Sequence, residues 1–183
     1  DKRRSRVPED LELTSRFLEG DESAFEAIVK KYQRMVYFSS LKIVKSHDDA
    51  DDVVQKTFIS VYRNLKSFQG KSSLKTWIFR ISVNMSKNLV RDRGRHQGDE
   101  LTEFSGRLEP EYDDALDKQR QAQTVTQAVD ELPPRQREVL SMRVHTGMSF
   151  PEIAEVLGCS VSAAKVNYHY AVKALRTRLV PGS

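Results

Sequence analysis

Residues 149–161 read SFPEIAEVLGCSV, and this stretch decides the fold of the last third of the chain. Ser149 and Glu152 have the spacing of a capping box, in which each side chain bonds an otherwise unpaired backbone N–H at a helix start. Gly158 suits the left-handed turn that ends a helix. Ser160 can cap the next helix at once. The spacing therefore predicts two helices joined by a tight turn.

Two helices in this arrangement form a helix-turn-helix, whose second helix enters the major groove of DNA. The apolar stripe of the second helix is predicted to be Val161, Ala164, Tyr168, Ala171 and Leu175. Its outward face is predicted to present Ser162, Lys165, Asn167, His169 and Lys173. Lysine suits phosphates and asparagine can pair with an adenine edge, so this face is expected to bind duplex DNA. A helical hairpin that only packs a core is the alternative.

The rest of the chain is predicted to be helical as well, because its apolar residues recur at spacings of three and four. Asp10 is expected to cap a short helix that stops at Gly20, and longer helices are expected to follow Asp21, Ser46 and Ser73. The helix after Ser73 is predicted to turn inward Leu74, Trp77, Ile78, Ile81, Met85 and Leu89. Of the two neighbouring aromatics, Trp77 is assigned to the core, whereas Phe79 is left open.

The predicted fold class is all-α, with two small helical domains joined by a flexible acidic linker, the C-terminal domain containing the helix-turn-helix. Helical periodicity disappears after Arg91 and resumes near Tyr112, and glycines and Pro110 lie between. The expected segments are a domain at 1–95, a linker at 96–111, a domain at 112–178, and an appended linker at 179–183.

Charge is distributed unevenly along the 183 residues, whose net charge is +4. Residues 1–95 hold 20 basic and 13 acidic residues, a net +7. Residues 96–117 hold one basic and eight acidic residues, a net −7, and the remainder holds nine and five, a net +4. Two basic segments joined by an acidic segment favour a polyanionic partner. An equal alternative is that these charges only keep the protein soluble.

Several classes of protein do not fit this sequence. The four histidines are scattered, no Cys or His pair has the spacing of metal ligands, and no phosphate-binding or nucleophile motif occurs. We therefore expect neither catalysis, nor a cofactor, nor a metal. No apolar run is long enough to cross a bilayer, so no membrane insertion is expected. The single Cys159 fits a small packed residue in a reducing cytoplasm.

Three stretches resemble the extracytoplasmic-function (group IV) sigma factors of the sigma-70 family of bacterial RNA polymerase. Residues 132–140, LPPRQREVL, followed by the helix-turn-helix, look like the fourth region of that family. Residues 49–58, DADDVVQKTF, are similar to its polymerase-binding helix, and residues 68–81, FQGKSSLKTWIFRI, to its segment that melts and recognises the minus-ten element. The resemblance implies a sigma factor that directs core polymerase to promoters, in a stress or envelope response.

The resemblance also implies partners and a role for each stretch. The implied protein partner is the core enzyme of RNA polymerase, which the chain would contact at the β′ clamp and at the β flap. The residues that bind the clamp would be Asp51, Asp52 and Gln55. Stabilisation of the helix dipole is a second role for those aspartates. Lys56 departs from the glutamate usual in the family, which puts one charge contact in doubt.

For promoter DNA, the resemblance implies contact with both melted and duplex strands. The minus-ten residues would be Phe68, Lys75, Arg80, Asn84, Lys87 and Asn88, in a loop that captures a flipped base and in the helix behind it. The outward face of the last helix would bind the minus-thirty-five element, although it is less basic than usual in the family. Many members of the family are held inactive by an anti-sigma factor, which is expected here. A stand-alone helix-turn-helix regulator is the alternative function.

Overall fold

The computed structural model describes residues 9–96 and 124–179, with residues 95 and 96 as backbone only. Within those ranges every regular element is a helix, which confirms the all-α prediction. The elements are α1 (Glu9–Leu18), α2 (Glu22–Val44), α3 (His47–Asn64), a 3₁₀ turn (Leu65–Ser67), α4 (Leu74–His96), α5 (124–130), α6 (Pro134–Thr146), α7 (Phe150–Leu157) and α8 (Val161–Leu179).

The chain divides into two compact units, the first containing α1 to α4 and the second α5 to α8. The predicted linker at 96–111 lies outside the described residues except for residue 96, which still belongs to α4. The predicted resumption of helix near Tyr112 and nearly all of the appended linker at 179–183 lie outside them too.

Local capping signals set most of the helix starts in the first unit. Asp21 caps α2 by accepting from the Ser23 backbone N–H at 3.0 Å, and its hydrogen bonds to Ser23 and Arg16 lower its pKa to about 2. Ser46 caps α3, and Ser73 accepts from the Thr76 N–H at 3.1 Å at the start of α4. These three predicted starts are confirmed.

The predicted role of Asp10 as a cap was wrong, because α1 already begins at Glu9. Asp10 joins α1 to α2 instead: the Tyr32 hydroxyl donates to its carboxylate at 2.6 Å, and the Lys31 ammonium donates at 2.7 Å. Burial of Tyr32, followed by this hydrogen bond, raises the pKa of the tyrosine. The contact fixes α1 against the third turn of α2, where Lys31 and Tyr32 lie.

The core of the first unit forms where α2, α3 and α4 pack together. Its fully buried apolar side chains include Ile28, Val36, Val53, Val61, Ile78, Phe79 and Val83. Ser82 and Ser86 of α4 are also fully buried, and their hydroxyls donate to the carbonyls of Phe79 and Ser82 at 3.0 and 2.9 Å. Because these short side chains are satisfied within their own helix, α4 can pack closely without an unpaired polar group.

The inward face of α4 therefore differs from the predicted one. Phe79 is fully buried, whereas Trp77, which was assigned to the core, is only half-buried. Ile81, Met85 and Leu89 are half-buried as well. The side of α4 that carries Ser82 and Ser86 faces the core. A search for apolar residues alone does not detect this side.

The second unit confirms the predicted helix-turn-helix. Ser149 and Glu152 form the capping box, since the Glu152 carboxylate accepts from the Ser149 N–H at 2.8 Å and the Ser149 hydroxyl accepts from the Glu152 N–H at 3.4 Å. Gly158 ends α7 with a φ of 61°, a left-handed conformation that favours glycine. Ser160 then accepts from the Ala163 N–H at 3.0 Å and so begins α8.

Arginines of α6 brace the second unit through backbone carbonyls. Arg135 donates to the carbonyl of Leu157 at 3.1 Å, at the C-terminal end of α7, where a cation also suits the helix dipole. Arg137 donates to Leu132 at 3.2 Å, and Arg143 to Met148 at 2.7 Å. Arg135 thus joins α6 to α7, whereas Arg137 and Arg143 stabilise the turns before and after α6.

Candidate functional site

The first candidate surface is the polar side of α3, which we call the acidic face and define by Asp51, Asp52 and Gln55. Asp51 and Gln55 are exposed and Asp52 is partly exposed, as expected for residues opposite the buried Val53. Tyr37 of α2 lies near the acidic face: its burial, and then the charges of Asp51 and Asp48, raise the pKa of the tyrosine. The structure thus brings the three predicted docking residues together on an accessible surface.

Lys56 lies one turn beyond Asp52 and neutralises part of the acidic face. Its ammonium donates to the Asp52 carboxylate at 2.6 Å, in an ion pair whose side chains are 59% and 40% exposed. An exposed i,i+4 pair of this kind is weak, about 0.3–0.5 kcal/mol. Among the ion pairs that the structure describes, one involves Asp52 and none involves Asp51. Asp51 therefore contributes more negative charge to the acidic face than Asp52 does.

The Asp49 carboxylate, although it lies in the same acidic run, does not belong to the acidic face. It is buried, and both of its oxygens contact the guanidinium of Arg93 in α4. The run of aspartates is thus divided by helical periodicity into one structural residue and an exposed group.

The second candidate surface is a row of polar side chains on α4, which we call the α4 stripe: Arg80, Asn84, Lys87, Asn88 and Arg91. At roughly 100° per residue these five positions fall within about one third of the helix circumference, opposite the buried Phe79, Ser82 and Ser86. Arg80, Asn84, Asn88 and Arg91 are exposed and Lys87 is partly exposed. Four of the six predicted minus-ten residues thus share one accessible row.

Lys75 does not belong to the α4 stripe. It lies about 140° round the helix from Arg80, on the side that carries the core, and is half-buried near the first turn. The prediction that it faces away from the core together with Arg80 was therefore wrong.

Phe68 begins the loop that precedes α4. Its ring is half-buried against Trp77, with ring centroids 5.1 Å apart. The next residues, Gln69 to Lys71, are exposed, and Gly70 has a φ of 66°. The structure therefore presents an exposed loop next to an accessible aromatic pair, at the N-terminal end of the α4 stripe.

The third candidate surface is the outer face of α8, which consists of Ser162, Lys165, Val166, His169, Tyr170 and Lys173. All six are exposed, while Ala164 and Ala171 on the opposite side are fully buried. Four of the five residues predicted for this surface are confirmed as outward-facing. Val166 and Tyr170 were not predicted for this surface, because only polar side chains were assigned to it. Val161, which was predicted for the buried stripe, is exposed, so that assignment was wrong.

Asn167 was wrongly placed on the outer face. It is half-buried, and its amide donates to the carbonyl of Ala163 at 2.8 Å. It lies about 140° round the helix from Ser162. In this conformation its side chain is turned to the backbone of its own helix, so it does not offer an amide to a base edge.

Two observations limit the chemistry of these surfaces. In the part of the chain that the structure describes, no group of three or more His, Cys, Asp or Glu side chains could hold a metal ion. No helix within the described ranges has the length and apolar character needed to cross a membrane.

Known families match both units. The families described as Sigma-70 region 2 and Sigma-70, region 4 match residues 28–96 and 122–175. The RNA polymerase sigma-H factor of Pseudomonas aeruginosa is 31% identical over 94% of this chain and 95% of its own length. The ECF RNA polymerase sigma-E factor of Escherichia coli K12 is 32% identical over 94% of this chain and 95% of its own.

Solved structures show the same similarity. The sigma factor RpoE in complex with the anti-sigma factor NepR from Bartonella quintana is 25% identical, with a TM-score of 0.73 over 87% of this chain and 98% of that one. CnrH in complex with the cytosolic domain of CnrY is 25% identical, with a TM-score of 0.68 over 96% and 99%. The chain belongs to the extracytoplasmic-function sigma factors of the sigma-70 family, the proteins that direct RNA polymerase core enzyme to promoters.

Proposed function

We propose that the three surfaces divide the work of promoter recognition: the acidic face binds the polymerase clamp, the α4 stripe binds the melted strand, and the outer face of α8 binds the upstream duplex. The observation that carries this proposal is the separation of charge between adjacent helices of the first unit. Exposed carboxylates cluster in the first turns of α3, whereas the α4 stripe consists of cations and amides, and the one acid of α4, Asp92, lies outside the stripe. Cations and amides favour a nucleic-acid strand, and clustered carboxylates favour a cationic protein segment.

The α4 stripe has the composition of a single-strand binding surface. Arg80 and Arg91 can follow the phosphates, while Asn84 and Asn88 can bond the edges of unpaired bases. Phe68 and Trp77, next to the exposed loop, offer an aromatic surface against which an extruded base can stack. Stacking of one base on an aromatic side chain contributes about 1–3 kcal/mol, which offsets the few kcal/mol needed to extrude it.

The outer face of α8 is proposed to bind the minus-thirty-five element. Lys165 and Lys173 lie two turns apart and can contact phosphates on the groove edges. Ser162 lies in the first turn, where side chains of a recognition helix reach base edges. With so few cations, this surface by itself should bind duplex DNA weakly.

The three surfaces are proposed to bind polymerase and DNA, and none of these roles requires acid-base or nucleophilic catalysis. We therefore propose that the chain acts by binding alone, in the cytoplasm where RNA polymerase works. We also propose an anti-sigma factor as a partner, as in the complex of RpoE with NepR. Such a partner would compete with core polymerase if it covers the acidic face.

The division of labour is tested by measuring promoter binding with and without core polymerase. Each unit contacts few phosphates, so the chain alone should bind promoter DNA weakly and with a steep salt dependence, while the holoenzyme should bind specifically. The comparison uses one promoter duplex and a scrambled duplex of equal length at physiological salt. Tight, sequence-specific binding by the chain alone would contradict the proposed dependence on polymerase.

A further inference from the structure

The outer face of α8 carries an exposed apolar pair in addition to its polar residues. The side chains of Val166 and Tyr170 are 51% and 53% exposed, and they lie one turn apart on the same side of the helix. The residues that anchor α8 lie on the other side, where Ala164 and Ala171 are fully buried. The contacts that fold the second unit therefore do not require an apolar residue at position 166.

The exposed side chains of α8 form two parallel rows. Lys165, His169 and Lys173 follow one another at intervals of four residues and form a polar row. Val166 and Tyr170 form an apolar row beside it, offset by roughly 100° from its start. When the polar row lies along phosphates, the apolar row is directed toward the floor of the same groove.

The chemistry of the major groove identifies what an aliphatic side chain can recognise there. Guanine, cytosine and adenine present only hydrogen-bond donors and acceptors on that edge, whereas thymine also presents a C5-methyl group. Valine has no side-chain donor or acceptor, so it favours contact with the thymine methyl. Contact with the polar edge of another base is unfavourable, because that edge would lose its hydrogen bonds to water and gain none from valine.

Asn167, which was expected to pair with an adenine edge, is turned to the Ala163 carbonyl. No arginine and no amide is among the six residues of the outer face. Among these six residues, base-specific contact is therefore assigned to Ser162, His169 and the apolar row, with the lysines contributing mostly to phosphate contact.

From this arrangement we infer that Val166 is a specificity-determining residue, which contacts the methyl group of one thymine in the upstream promoter element. The inference rests on the proposed function of α8 as the duplex-binding helix, and it names the base that this helix selects. Tyr170, one turn further on, extends the apolar surface and shields the contact from water.

The test removes the methyl group from the DNA and the side chain from the protein. Holoenzyme, assembled from core polymerase and the full chain, first selects binding sites from a duplex library randomised over both promoter elements. Each thymine of the selected upstream element is then replaced singly by deoxyuridine, which lacks only the methyl group. Binding of each duplex is measured with wild-type, Val166→Ala, Lys165→Ala and Val144→Ala holoenzyme. Val144 is the matched control, because it is an exposed valine of α6 outside the outer face, with 63% of its side chain accessible.

At one thymine, the loss of the methyl should raise Kd about fourfold for wild-type and Val144→Ala holoenzyme, as expected for one lost apolar carbon. With Val166→Ala the same replacement should change Kd less than about 1.5-fold, because the contact is already gone.

A methyl effect that persists in Val166→Ala would overturn the inference, as would an upstream element with no methyl-sensitive thymine. If Lys165→Ala nevertheless weakens binding, only the inference fails. If Lys165→Ala and Val166→Ala both bind as wild type, the proposed function of α8 fails with it.

Discussion

The ion pair between Lys56 and Asp52 predicts that removing a positive charge will improve binding to RNA polymerase. The Lys56 ammonium lies 2.6 Å from an Asp52 oxygen on the acidic face. A cationic segment of the polymerase that docks on this face must displace Lys56 from Asp52 and must also approach the lysine charge. Lys56→Met removes both obstacles and keeps most of the length and apolar surface of the side chain.

The expected size follows from the exposure of the pair. Both side chains are substantially exposed, at 59% and 40%, so the pair stabilises the free chain by only about 0.3–0.5 kcal/mol. Two like charges 4 Å apart in water repel by about 1 kcal/mol, and salt and greater distance reduce this. Lys56→Met should therefore improve docking by about 1 kcal/mol, equivalent to a fivefold lower Kd for core polymerase. The melting temperature should change by no more than a few degrees.

The measurement is the equilibrium binding of labelled chain to core polymerase in the absence of DNA, at two salt concentrations. Lys165→Met is the matched control, since it removes the same charge from an exposed helix position in the other unit. The gain of Lys56→Met should shrink at higher salt, because it arises from exposed charges. A Kd that stays unchanged or rises, with the fold intact, would show that the acidic face does not meet a cationic surface.

Three further predictions test the other assignments. The double reversal Asp51→Lys and Asp52→Lys should reduce capture of core polymerase in a pull-down by more than tenfold, while thermal unfolding is nearly unchanged because exposed charges contribute little to stability. Asn84→Ala should slow strand opening and spare closed-complex binding, and Lys165→Ala should do the reverse, as permanganate footprinting and filter binding on duplex and pre-melted templates would show. Ser149→Ala should lower the unfolding free energy by about 1 kcal/mol in a denaturant titration, because α7 loses its capping hydroxyl.

The elements that the sequence predicted well are those with local causes. The capping box of Ser149 and Glu152, and the turn at Gly158, depend on side chains within four residues of the helix end. A helix start of this kind is specified by short-range hydrogen bonds whatever packs against the helix later. For the same reason the starts of α2 and α3, at Asp21 and Ser46, were predicted correctly.

The errors concern which side of a helix is buried, and this depends on the neighbouring helices. Ser82 and Ser86 are fully buried although they are polar, because each hydroxyl bonds a carbonyl of its own helix. Their burial turns α4 so that Phe79 enters the core and Trp77 moves toward the surface. In α8 the burial of Ala164 and Ala171 was predicted correctly, whereas Val161, assigned to the same stripe, is 37% exposed. Patterns of large apolar residues cannot reveal a helix that packs through its small ones.

The contact between Asp49 and Arg93 joins the helix that carries the acidic face to the helix that carries the α4 stripe. Asp49 lies in the first turn of α3 and is buried, while Arg93 lies near the end of α4, beyond the α4 stripe. The acidic face begins only two residues after Asp49, so the charged contact joins the start of this face to the end of α4. Removing the charge at Asp49 leaves the arginine without its buried partner and loosens the two helices, whereas removing it at Asp51 leaves the fold alone. The two neighbouring aspartates therefore differ in kind: Asp49 joins α3 to α4, whereas Asp51 is exposed and is proposed to bind the polymerase.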